Sequence, residues 1–189
     1  GRGAKAVDGF NIEGFALIPG STDMYIAFRV PLIERDGRRH ALVAPMRSVL
    51  QWFNNGNPAN PPVFGEPVEI DLGGRGVRAM QSNQHGFLII AGPADEDGTF
   101  ALFTWSGKRE DKPQQRAADL TGMRPECIIG LPDTPFTPEM RVQLLSDNGD
   151  TKWYENGYES DDLIFPLQKF RSDVISIGEI TETTDVDDD

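Results

Sequence analysis

Three ionisable residues recur at the same place in three stretches of similar pattern. Glu13 stands in Phe10-Asn11-Ile12-Glu13-Gly14-Phe15-Ala16-Leu17, Arg78 in Arg75-Gly76-Val77-Arg78-Ala79-Met80, and Glu126 in Met123-Arg124-Pro125-Glu126-Cys127-Ile128-Ile129. They are 65 and 48 residues apart. Carboxylates and guanidinium groups gathered at one point can pair with one another, which removes the cost of burying a lone charge. They can also hold a polar ligand, because a guanidinium presents parallel donors to a carboxylate or phosphate. Arg75 and Arg124 lie beside the set. Arg29 ends a second apolar stretch, from which it either reaches the same place or is a strand-end charge that sits in solvent or pairs a neighbouring blade. Internal pairing, ligand binding and catalysis are the three readings of this set.

Two acidic turns, Asp95-Glu96-Asp97-Gly98 and Asp147-Asn148-Gly149-Asp150, raise metal chemistry. Calcium takes roughly six to eight oxygen ligands from loops of this kind. Neither turn has the EF-hand spacing, and Asp-Gly is ordinary hairpin chemistry. Asp147 and Asp150 are therefore the candidate calcium pair, and no other cofactor is expected. His40 and His85 are isolated beside turns, and the sequence holds no Gly-x-Ser-x-Gly elbow and no His-Glu-x-x-His. Gly73-Gly74-Arg75-Gly76 precedes a strand rather than a helix, so it reads as a tight crossing and not as a phosphate cradle. Cys127 is the single cysteine, which excludes an intrachain disulfide and a cysteine-based zinc site. Its apolar neighbours place it in the core.

The elements that must position these residues are short strands. Each opening runs through a turn into a second apolar run: Met24 to Arg29, Phe87 to Gly92 and Val142 to Asp147. Alternation and turn chemistry predict strands over 14–19, 25–30, 40–45 and 67–72, then 77–82, 87–91, 99–105 and 114–120, then 126–131 and 141–146. A late strand is expected near 174–177, a helical turn over 47–53 and a loop over 54–62. Trp52, Trp105 and Trp153, one per copy, read as packing between copies. Mostly-strand repeats of about 40 to 50 residues are the mark of propeller blades. The expected fold is all-β, a partial β-propeller of antiparallel meander blades, about two to three of them. The first strand of each blade would line the central channel and turn Glu13, Arg78 and Glu126 toward one axis. Residues 1–9 form an arm, 10–150 the blades, 151–178 an irregular segment with the late strand, and 179–189 an acidic tail.

Bulk composition narrows the partners. The formal charge of −12 argues against nucleic acid, which needs a basic field. Six of those charges fall in the last eleven residues. No apolar run approaches the roughly 18 residues of a membrane span. The first residue is Gly1, so the compartment stays open.

Several segments resemble the bacterial family called domain of unknown function 3616. They are Phe10 to Gly14, Ile26 to Leu32, Phe64 to Pro67, Leu72 to Arg78, Leu88 to Pro93 and Leu144 to Asp150. The resemblance runs over about residues 8 to 150 and looks like the C-terminal half of that domain. It implies a propeller-like fold, with a more distant similarity to phytase-like and SdiA-regulated propellers, and no stated activity. Glu126-Cys127 and Asp147-Asn148-Gly149 depart from the pattern where Glu-Gly and two acids before the glycine are expected.

Two complete blades and part of a third do not close a ring, so the missing half of a longer chain or a second subunit is expected to complete it. Three functions compete. One is a module binding a small polar ligand or a partner protein at its charged mouth. The second is a metal-assisted hydrolase of phytase-like or esterase-like type, and the third is a purely structural scaffold.

Overall fold

Met24–Val30 and Gly86–Gly92 are almost continuous apolar runs, and every residue of both is buried. A strand without polar alternation must be covered on both faces, so it belongs inside a stack of sheets. The computed structural model describes residues 9–49, 62–95 and 98–181 and shows that stack. Its strands are β1 (Asn11–Leu17), β2 (Met24–Val30), β3 (Ile33–Arg35), β4 (Arg38–Met46), β5 (Val68–Ile70), β6 (Gly76–Asn83), β7 (Gly86–Gly92), β8 (Ala101–Trp105), β9 (Gln114–Arg116), β10 (Pro125–Ile129), β11 (Arg141–Ser146) and β12 (Arg171–Ser176).

They form three antiparallel meanders in chain order. The first runs β1-β2-β4 with β5 on the far side of β4, and β3 makes a short hairpin with the start of β4. The second runs β6-β7-β8-β9 and the third β10-β11-β12. The fold is all-β, with no closed barrel among the described residues, an arrangement consistent with part of a propeller. The late strand is longer than its alternation suggested: β12 pairs with β11 from Ser146↔Arg171 to Arg141↔Ser176 and completes the third sheet. The chain then returns to the second sheet. Ile180 bridges Arg116, and Ala117 N–H donates to Glu179 O at 2.7 Å, so the outer edge at β9 is covered. The expected helical turn over 47–53 and loop over 54–62 fall largely outside the described residues, as do most of the arm and the acidic tail.

Two apolar layers hold the sheets together. Tyr25, Ala27 and Val43 of the first sheet meet Val77, Met80, Phe87, Ile89 and Trp105 of the second. The rings of Tyr25, Phe87 and Trp105 pack in a triangle with centroids 5.3 to 5.6 Å apart. This is the inter-copy packing expected of Trp105. Ala79, Leu88, Ile90 and Leu102 of the second sheet meet Ile128, Val142 and Leu144 of the third. The inner strands β1, β6 and β10 lie side by side through these contacts. Close approach explains two glycines. A Cβ on Gly14 would stand 2.7 Å from the Ala27 Cβ, and one on Gly76 would overlap the Arg29 carbonyl.

Candidate functional site

Each inner strand carries one extra residue against its neighbour, at the charged position. In β1 the register steps from Ile12↔Phe28 to Gly14↔Ala27, leaving Glu13 unpaired. In β6 it steps from Val77↔Ala91 to Ala79↔Ile90, leaving Arg78. In β10 it steps from Pro125↔Ser146 to Cys127↔Leu145, leaving Glu126. A bulge of this kind re-aims a side chain that the pleat would otherwise send into an intersheet layer. The three charges therefore occupy equivalent register positions and point at one another.

They form a ladder of alternating sign across the three sheets. Arg78 is the centre. Its Nε donates to Glu126 Oε2 at 3.2 Å, and its Nη2 donates to Glu126 Oε1 in a very short contact. On the other side Arg78 Nε lies 2.9 Å from Glu13 Oε2. The Nε hydrogen is directed at Glu126, so Glu13 Oε2, although buried, accepts no hydrogen bond. The guanidinium also sits 5.6 Å from the centroid of the Phe100 ring, a cation–π geometry. Arg29 closes the other end. Its Nη1 is 3.5 Å from Glu13 Oε1, while Nε and Nη2 donate to the carbonyls of Ala94 and Asp95 at 3.0 and 2.8 Å.

The ladder is largely withdrawn from water: the side chains of Arg78, Glu13 and Glu126 are 10%, 19% and 29% exposed. Burial pushes the Glu126 carboxyl above its usual range, the hydrogen bond and charge of Arg78 oppose that, and the charges of Glu13 and Asp147 add to it.

Of the residues singled out by sequence, Glu13, Arg29, Arg78 and Glu126 come together. Arg75 does not join them. It donates to Thr99 O, Thr99 Oγ1 and Leu72 O and fastens the crossing between the first two sheets. Gly73 and Gly74 make that crossing with φ of 64° and 78°. Arg124 pairs with Asp150. Asp147 Oδ1 accepts from Gly149 N–H at 3.0 Å. No group of three or more His, Cys, Asp and Glu placed to hold a metal occurs among the described residues. Glu96 and Asp97 of the first acidic turn lie outside the described residues.

Cys127 corrects its expected place in the core. It is exposed, because it occupies the position of Gly14 and Ala79, which the following sheet covers in the first two cases. Sequence reasoning also missed Asn11, whose Nδ2 donates to Glu13 Oε1 at 2.8 Å, and Phe100 beneath Arg78. A polar residue two places before Glu13 was a usable signal for the first. Nothing in sequence placed Phe100, because it reaches Arg78 only through the β7–β8 connection.

The fold and the site define a class: stacked antiparallel meanders whose inner strands are tied at their bulges by buried ion pairs. Residues 5–134 match the family model described as protein of unknown function DUF3616, and the chain belongs to that family. The match takes in the first two sheets and β10, and β11 and β12 lie beyond it. No curated protein and no solved structure matches. No helix among the described residues is long and apolar enough to cross a membrane.

Proposed function

We propose that this protein is a propeller-like binding module whose charged mouth takes a hydrogen-bond-donating polar ligand or a basic side chain of a partner protein. The observation that carries the reading is a surplus of acceptors at the ladder. Glu13 Oε2 is buried and accepts no hydrogen bond, and Asp147 adds a second carboxylate beside Glu126. The Arg78 guanidinium 2.9 Å away offsets the charge of that oxygen but leaves it without a hydrogen bond, and an ammonium, guanidinium or hydroxyl group at the more open Glu126 and Asp147 draws on the same surplus of carboxylates. An anion would meet carboxylates instead.

The surroundings favour a donor that also carries apolar surface. β11 ends at Ser146 and β12 starts at Arg171, paired with each other, so the connection between them leaves and re-enters the third sheet at the Glu126 end. It carries Ile164, Phe165 and Phe170, all exposed. The complete internal pairing of Arg78 supports a second reading, a scaffold in which the ladder serves only to fasten three inner strands.

Calorimetric titration with agmatine, spermidine and myo-inositol separates the two readings. Binding of a donor probe is expected, weakened about tenfold or more in Glu126→Gln, because one charge-assisted hydrogen bond is worth roughly 1.5 to 3 kcal/mol. Absence of heat with all three probes, or equal affinity in the variant, leaves the scaffold.

A further inference from the structure

The bulges put the three sheets in one register, so each position can be followed from sheet to sheet. Gly14, Ala79 and Cys127 are equivalent, and so are Ala16, Gln81 and Ile129. Gly14 and Ala16 are buried under the second sheet, and Ala79 under the third. Cys127 and Ile129 are exposed, as is Val174 on β12. The flank of the third sheet therefore presents the surface that the first two sheets bury, with no covering element among the described residues.

Charge says what fits there. The bulge residues read Glu13, Arg78, Glu126, each carboxylate meeting a cation on the neighbouring sheet. Arg29, at the end of β2, reaches forward to carbonyls of the next sheet, and the equivalent position at the end of β11 is Asp147. The free flank thus carries two carboxylates, Glu126, which already bonds Arg78 on its other side, and the exposed Asp147, while the neighbouring Arg124 is engaged by Asp150. A second copy of this chain does not suit it. Set head to tail, the copy brings Glu13 against Glu126. Set flank to flank, it brings Glu126 against Glu126. Like charges at partly buried contacts oppose both arrangements.

We propose that the free flank of the third sheet is covered by an antiparallel blade from outside these 189 residues, whose inner strand carries an Arg or Lys at the bulge position facing Glu126. The covering blade repeats toward Glu126 what Arg78 does toward Glu13. It buries Cys127, Ile129 and Val174 and puts its basic residue between Glu126 and Asp147. This rests on the propeller-like reading of the module and not on small-ligand binding, so agmatine titration and the experiment below fail independently.

The test places a diazirine-bearing aliphatic amino acid at Ile129 in the full chain and photolyses it in extract of the cells that make the protein. The cross-linked peptide is then sequenced. The expected product is a strand-like peptide from outside residues 1–189 with Arg or Lys within a residue or two of the adduct. Glu126→Lys should lower the yield at least about tenfold, as reversing one charge at a close pair does. Asp147→Lys, which leaves the Arg78–Glu126 pair in place, should lower it as well. A cross-link to any part of residues 1–189, within the same chain or in a second copy, overturns the proposal. So does a peptide without a basic residue, no cross-link at all, or a yield unchanged in both variants.

Discussion

Replacing Arg78 with methionine keeps the apolar stem of the side chain and removes the cation that meets both Glu13 and Glu126. Glu13 and Glu126 then face each other, 19% and 29% exposed, with Asp147 also near Glu126. Removing one partner of a fully buried pair costs about 3 to 5 kcal/mol. The carboxylates keep some contact with water, so the expected loss at pH 7 is about 2 to 3 kcal/mol. In a chain of 189 residues that lowers Tm by roughly 4 to 12 °C.

The pH dependence is the sharper signature. The folded Glu126 carboxyl already titrates above its ordinary value of 4.5, held up first by burial and then by Glu13 and Asp147. Without Arg78 nothing in that group of effects pulls it down, and it rises further. An acid whose folded pKa lies above its unfolded one takes up its proton first in the folded state. Stability is therefore gained as pH falls through the folded pKa and lost as pH rises through it. The deficit of Arg78→Met should narrow between pH 7 and pH 5, and adding Glu126→Gln should recover part of it at pH 7. Urea unfolding at both pH values measures this. A deficit below about 1 kcal/mol, or one identical at the two pH values, would refute the idea that Arg78 compensates buried carboxylates.

Three other outcomes are expected. Gly76→Ala drives a Cβ into the Arg29 backbone, so it should cost more than about 3 kcal/mol or abolish folding, read by circular dichroism and urea unfolding. Trp105→Ala removes one corner of the Tyr25–Phe87–Trp105 triangle and should cost about 3 to 5 kcal/mol in the same assay. Cys127 should react with Ellman's reagent in the folded isolated chain at nearly the rate of a free thiol, and protection until urea is added would place it in a core after all.

The inner and second strands of all three sheets were legible, because apolar runs such as Phe87 to Gly92 and turns such as Asn83 to Gly86 are local signals. The outer strands were less so. Val68–Ile70 and Gln114–Arg116 are three residues each, shorter than their alternation suggested, because each is strand only where it pairs with its inner neighbour, β4 or β8. β12 was only half visible, because Arg171 and Ser172 carry no apolar signal and are strand through pairing with Ser146 and Leu145.

By itself the sequence determined which residues could form the ladder. Glu13, Arg78 and Glu126 each stand at the head of a strand-turn-strand pattern. It could not decide that Arg78 would be the shared cation, that Arg75 would turn away to Thr99, or that Cys127 would be exposed. Those outcomes depend on how sheets stack and on a one-residue bulge in each inner strand. A bulge is a mismatch between two strands rather than a property of either one. Which face a residue meets is likewise fixed by the neighbouring sheet, and that neighbour is 48 or 65 residues away along the chain.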